Sequence, residues 1–183
     1  MSTTYDKIYT DVNNLINLYK TRDPREILEG RGVFLIPFQN PTKVLGMYKI
    51  IKRNRFVFYN PYVDDRIINM VFAHELGHDL YHRTEAKQGA AEYELFDIRS
   101  EMEIEANIFA AHLLLDEKKL MEDVKEGYSY NQLASLYDVN VNLMIFKLNE
   151  MHRMGMPIVK NETDSKFFTK IDGSSENLGN YLW

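Results

Sequence analysis

At 183 residues and 45% hydrophobic content, the chain is long enough for one main domain with a real core, plus a small appendage. A formal net charge of -5 argues against a general nucleic-acid or anionic-membrane binder, and the lack of cysteine excludes disulfides and thiolate metal sites. The polar start Met1-Ser2-Thr3-Thr4-Tyr5-Asp6, with no apolar run near ~18 residues, predicts a soluble, cytoplasmic protein without membrane contact.

Residues 4 to 20 have helical spacing, with Tyr5, Ile8, Val12, Leu15, Ile16 and Tyr19 on one side. Asp23-Pro24 reads as the N-cap and first residue of a short helix ending at Gly30. Val33 to Phe38 is a short apolar run predicted as a strand. Val44 to Ile51 and Arg55 to Tyr59 flank Lys52-Arg53-Asn54, a hairpin turn. A small, mostly antiparallel sheet of about three strands is therefore expected, with Val44 to Ile51 as the edge that would take a peptide by strand addition.

A helix capped by Asp64 or Asp65 follows and carries His74-Glu75-Leu76-Gly77-His78. Two histidines four residues apart stack on one helical face, so both rings can reach one ion. Glu75 points to the edge of that face, where it can touch an attacking water without taking a coordination position. Ile68, Met70, Phe72, Ala73, Leu76, Leu80 and Tyr81 cover most of the remaining surface, which predicts a helix buried in the domain centre. Two core histidines held by hydrogen bonds are the competing reading of the five residues alone. His82, one turn past His78, reads as a packing or supporting residue.

Arg83 to Arg99 is a long polar connection, in which Tyr93, Phe96 and Arg99 are the side chains best able to meet a peptide. Zinc in a hydrolase usually takes three protein ligands and a water, so a second helix should offer a third donor. Glu101 to Ala111 does so. From Glu103, the residues Asn107, Ala110, Ala111 and Leu114 lie within about 80° on the wheel. The alanines allow close approach, and Asn107 can bond the far nitrogen of a ligand histidine. Glu101 and Glu105 read as a solvated acidic helix start. Asp116 caps a further short helix. Tyr130 to Val141, with a second helix from Val141 to Met151, has helix-turn-helix spacing. Residues 126 to 155 carry Lys147 and Arg153 against Glu126, Asp138 and Glu150, a net of -1, and a DNA reader normally shows a basic face. A pair that packs on the main domain and docks a protein is expected instead.

Phe72-Ala73-His74-Glu75-Leu76-Gly77-His78, His82 four residues on, and Glu103-x-x-Ala106-Asn107-x-Phe109-Ala110 together resemble the ImmA/IrrE family of zinc metallopeptidases. Arg66, eight residues before His74, also sits where that family often carries an arginine. The resemblance covers about residues 30 to 150. It implies that His74, His78 and Glu103 bind zinc (Zn2+) and that Glu75 is the catalytic base, in a mainly helical α+β, zincin-like fold. It further implies an endopeptidase that cuts a repressor-like partner protein, releasing genes of a mobile element or a stress response. The expected organisation is a peptidase domain at 1–125, a helix-turn-helix-like extension at 126–155 and a tail at 156–183. Tyr81, Tyr93 and Arg99 are the candidates for steadying the oxyanion. The alternative is a non-catalytic zinc-containing regulator that binds a repressor or DNA through its C-terminal helices.

Overall fold

The computed structural model of the chain describes residues 4–84 and 100–158. Helix α1 (Thr4–Tyr19) buries Ile8, Val12 and Leu15, with Tyr5, Ile16 and Tyr19 partly covered beside them, so the expected stripe is the packed one. Helix α2 (Pro24–Gly30) begins as its cap dictates: the Asp23 side chain accepts from the Arg25 N–H, and Pro24 opens the first turn.

Three strands follow, β1 (Val33–Pro37), β2 (Gly46–Ile51) and β3 (Asn54–Tyr59), in the spatial order β1-β3-β2. β2 and β3 pair antiparallel, with Ile51 opposite Asn54, so the hairpin turn is the two residues Lys52-Arg53 and Asn54 already belongs to β3. Both turn residues take left-handed backbone angles, φ 48° and 70°, the geometry that favours Asn-Gly. β1 pairs with β3 in parallel, so the sheet is mixed: of its two pairings, only the hairpin one is antiparallel. The order puts β1 on the side of β3 away from β2, so the connection between β1 and β2 passes across β3.

Helix α3 (Asp65–Tyr81) is the centre of the domain. Asp64 caps it by accepting from the Arg66 N–H. Every residue from Met70 to Asp79 is buried, because β2 and β3 lie against one side of α3 and helix α4 (Glu101–Leu114) against another. Gly77 makes the second contact possible, since a Cβ there would stand 3.0 Å from the Ala106 Cα. Asp79, wholly buried, ties α3 to the sheet. It accepts from Tyr48 Oη at 2.7 Å and Arg55 Nη1 at 2.9 Å, and from Arg31 Nε at 2.9 Å. Burial alone would raise its carboxyl, but the Tyr48 hydrogen bond and the arginine charges win, and the group sits below the usual carboxylate range. Breaking such a buried pair costs about 3–5 kcal/mol.

Helix α5 (Glu117–Lys125) is capped by Asp116, which accepts from the Lys118 and Lys119 N–H groups. Helix α6 (Tyr130–Leu136) starts with a capping box in which Ser129 and Gln132 bond each other's backbone N–H. Helix α7 (Val141–Arg153) completes the pair read from the sequence. The chain divides into two compact units, residues 1–147 and 148–183. In the second, the described part is the end of α7, where Arg153 pairs with Glu150 at 2.8 Å, and a turn through Gly155 at φ 83°. Phe167, Phe168, Tyr181 and Trp183 lie outside the described residues. No described helix is long and apolar enough to cross a membrane.

Candidate metal centre

Packing of α4 on α3 brings three donors together. His74 Nε2 lies 3.0 Å from His78 Nε2 and 3.1 Å from Glu103 Oε2, and His78 Nε2 lies 3.5 Å from Glu103 Oε1. The same three residues offer ligand atoms all within 4.8 Å of one another. Donors about 2.0–2.1 Å from a tetrahedral ion are separated by about 3.3 Å, so these spacings suit one ion without rearrangement.

The surrounding hydrogen bonds decide what those atoms present. His74 Nδ1 faces Asn107 Oδ1 at 2.8 Å, an acceptor, so Nδ1 carries the proton and Nε2 is a lone pair. His82 Nε2 faces Glu105 Oε2 at 2.9 Å, so that nitrogen donates to the carboxylate. The His82 ring then accepts through Nδ1 from His78 Nδ1, 2.9 Å away, which leaves His78 Nε2 a lone pair too. Two imidazole lone pairs and a carboxylate therefore converge with no proton between them. Such a cluster can hold a cation.

The electrostatics agree. Burial pushes the His78 ring down to about 4, so it is neutral at pH 7. Burial alone would raise Glu103, but the contacts with His74 and His78 outweigh it and hold the carboxyl far below the usual range. A neutral His78 and an ionised glutamate are the protonation states that metal ligands need. The donor set, nitrogen and oxygen with no sulfur, fits zinc among other divalent ions.

Glu75 follows His74 and is buried against β2. Its Oε1 lies 2.8 Å from where a Cβ at Gly46 would stand, so the carboxyl occupies room that exists because residue 46 has no side chain. Among the described residues, β2 has β3 as its neighbour on one side and no strand on the other. Counting from the hairpin, Ile51, Lys49 and Met47 form the bonded pairs with β3. The backbone groups of Gly46, Tyr48 and Ile50 thus point to the open edge, and Gly46 is the one beside Glu75.

Other candidates sit elsewhere. The Tyr81 hydroxyl donates to Asp11 on α1 at 3.1 Å, which commits it away from the cluster. Arg66 is half exposed and lies 3.7 Å from Asp138 and 3.8 Å from Asp64. Tyr93, Phe96 and Arg99 lie outside the described residues. Glu105 corrects its sequence reading: the side chain is 14% exposed and bonded to His82, while Glu101 is exposed as expected. On a wheel Glu105 lies about 200° from Glu103, so periodicity could not have placed both at one histidine row. Gly46 was missed as well, since only its contact with Glu75 marks it.

Comparison with known proteins gives two findings. The family model described as "Peptidase_M78: IrrE N-terminal-like domain" matches residues 29–149, which include every residue of the cluster. "Uncharacterized immunity region protein 2" of Bacillus phage phi105 is 29% identical over 143 residues, covering 78% of this chain and 90% of the phage protein.

Proposed function

The chain belongs to the Peptidase_M78, or ImmA/IrrE, family, and from that premise we propose that it is a zinc-dependent endopeptidase acting on a repressor-like partner protein. The observation that carries the reading is the convergence of two imidazole lone pairs and the Glu103 carboxylate, with Glu75 one residue along the same helix. His74, His78 and Glu103 would hold the ion. Zinc, when bound, supplies a Lewis acid that brings the pKa of a water toward neutrality and polarises a carbonyl.

The chain's own groups do the rest. Asn107 fixes His74 in its tautomer, and the Glu105–His82 pair does the same for His78. Glu75 takes the proton from the attacking water and passes it to the leaving amine, acting first as base and then as acid. The open edge of β2 aligns the substrate backbone, with Gly46 bringing it next to Glu75. We assign residues 1–125 to the peptidase, 126–155 to a helical extension and 156–183 to a tail. The extension is assigned a protein-facing role because its two cations are engaged, Lys147 with His112 and Glu117, Arg153 with Glu150. The phage relative's name places it in an immunity region, which favours a partner of the repressor kind, in the cytoplasm, for a mobile element.

The test is co-expression of the wild type and of Glu75→Gln with the repressor-like protein encoded nearest the gene. Fragments with the wild type alone, and one zinc per chain in both, are expected. Cleavage by Glu75→Gln would remove Glu75 from the chemistry. A repressor that binds both forms and is cut by neither would make the protein a zinc-containing regulator.

A further inference from the structure

The outer face of the sheet, turned away from α3, is apolar and aromatic. Strand alternation sends Val33, Tyr48, Val57 and Tyr59 inward and leaves the next residues facing out. There Phe34 stacks on Phe56 at 5.4 Å, Phe56 on Phe58 at 5.9 Å and Phe58 on Phe38 at 6.3 Å, a continuous row of rings. Phe34 is 52% exposed, and Ile36 and Ile51 are 38% and 41% exposed on the same sheet. Side chains of this kind in one contiguous patch mark an interaction site.

Charge says what kind. Residues 31–63 hold six basic residues and no acidic one, while the rest of the chain has sixteen basic against 27 acidic residues, a net of -11. Arg31 and Arg55 are spent on the buried Asp79. Lys43, Lys49, Lys52 and Arg53 remain, the first in the loop before β2 and the others on the hairpin. In a chain that is otherwise acidic, the sheet segment carries a local excess of positive charge with no acidic residue to offset it.

We propose that this face is a docking surface for an acidic segment of a protein partner that carries apolar side chains, and that the partner is the peptidase substrate. The last clause rests on the function proposed above. A single-stranded nucleic acid fits less well. The rings of the row stack on one another, and the chain as a whole carries a net charge of -5. Nucleobases stack on exposed ring faces. A second copy of this chain docked face to face would set four cations against four, which like-charge repulsion opposes. The position suits capture of a substrate. The sheet's other side meets α3, and its edge strand β2 begins at Gly46 beside Glu75, so a chain held on the outer face needs few residues to cross the edge into the site.

Binding is measured in the Glu75→Gln background, which leaves a bound substrate uncut. The probe is the full-length repressor-like protein encoded nearest the gene. Phe34→Ser/Ile36→Ser and Lys43→Glu/Lys49→Glu are each expected to weaken its binding at least about tenfold, with unchanged melting temperature and zinc content. The charge-reversal effect should shrink between about 50 mM and about 500 mM salt, and the apolar effect should persist. Leu18→Ser, which trims a 72% exposed residue on α1, should bind like the parent. Equal binding by parent and both sheet variants, or no binding by the parent, overturns the proposal. So does variant-sensitive binding of a fifteen-nucleotide oligothymidine in place of the protein, or self-association that the same variants abolish. A repressor bound through this face but cut by no form would leave the docking surface standing and remove the peptidase reading. One that is cut by the wild type and bound normally by the sheet variants would do the reverse.

Discussion

Gly77→Ala tests whether the α3–α4 contact sets the metal cluster. In an exposed helix interior the exchange would stabilise by about 1 kcal/mol, because glycine loses more backbone freedom on folding. Here the new Cβ would stand 3.0 Å from the Ala106 Cα, 3.3 Å from its Cβ and 3.4 Å from its carbonyl oxygen. Two of these are backbone atoms of a packed helix and the third is the Cβ fixed to it, not the end of a flexible side chain. Ordinary carbon contacts lie at about 3.5–4.0 Å, so α4 must retreat by a few tenths of an ångström. Overpacking of this size costs about 1–3 kcal/mol, which cancels or slightly exceeds the propensity gain. Apo stability should therefore change by no more than about 2 kcal/mol in either sense. Metal affinity should change far more. Glu103 sits one turn before Ala106 and moves with it, and ligand positions tolerate only about 0.2 Å. We expect zinc affinity to fall at least about tenfold, measured by competition with a chromophoric chelator, beside thermal melts of apo and loaded protein. A raised apo melting temperature together with unchanged zinc affinity would refute the reasoning.

Glu105→Ala should keep one zinc per chain but weaken its binding about 10- to 100-fold, since His82 loses the acceptor that fixes its proton; unaltered affinity would reduce the Glu105–His82 contact to packing. Lys52→Asn/Arg53→Gly should raise stability to urea by about 1 kcal/mol, because both positions hold left-handed angles that Asn and Gly adopt at less cost; a lower urea midpoint would show that the turn is not strained. Lys147 is buried between His112 Nδ1 at 3.0 Å and Glu117, and burial lowers its ammonium from 10.5 to about 8. Above pH 8 the unfolded chain therefore binds the extra proton, and stability should rise by about 3 kcal/mol between pH 8 and 10.5. Lys147→Met should abolish that rise, and a rise of equal size in the variant would assign it to another group.

How far the sequence reaches depends on the range of each interaction. The helix caps at Asp23, Asp64, Asp116 and Ser129 act within three residues of themselves, and three of the four were legible as local signals. Glu105 was misread for the opposite reason. Its partner His82 lies on another helix, and nothing in the spacing of α4 points a residue 200° from Glu103 toward the same row. The parallel pairing of β1 was also out of reach, since hairpin chemistry reveals β2–β3 and says nothing of which way a third strand runs.

The amino-acid sequence by itself determined the pair His74 and His78, the carboxylate beside them and Glu103 on a second helix, because a 3.6-residue period converts spacing directly into a shared face. Only tertiary structure decided how those parts meet. The approach of Gly77 to Ala106 closes the distance between the helices, Asn107 and Glu105 turn each ring's lone pair to the same point, and Gly46 admits Glu75 under the edge strand. Each of these is a contact between residues far apart in the chain, and such contacts carry no period to read.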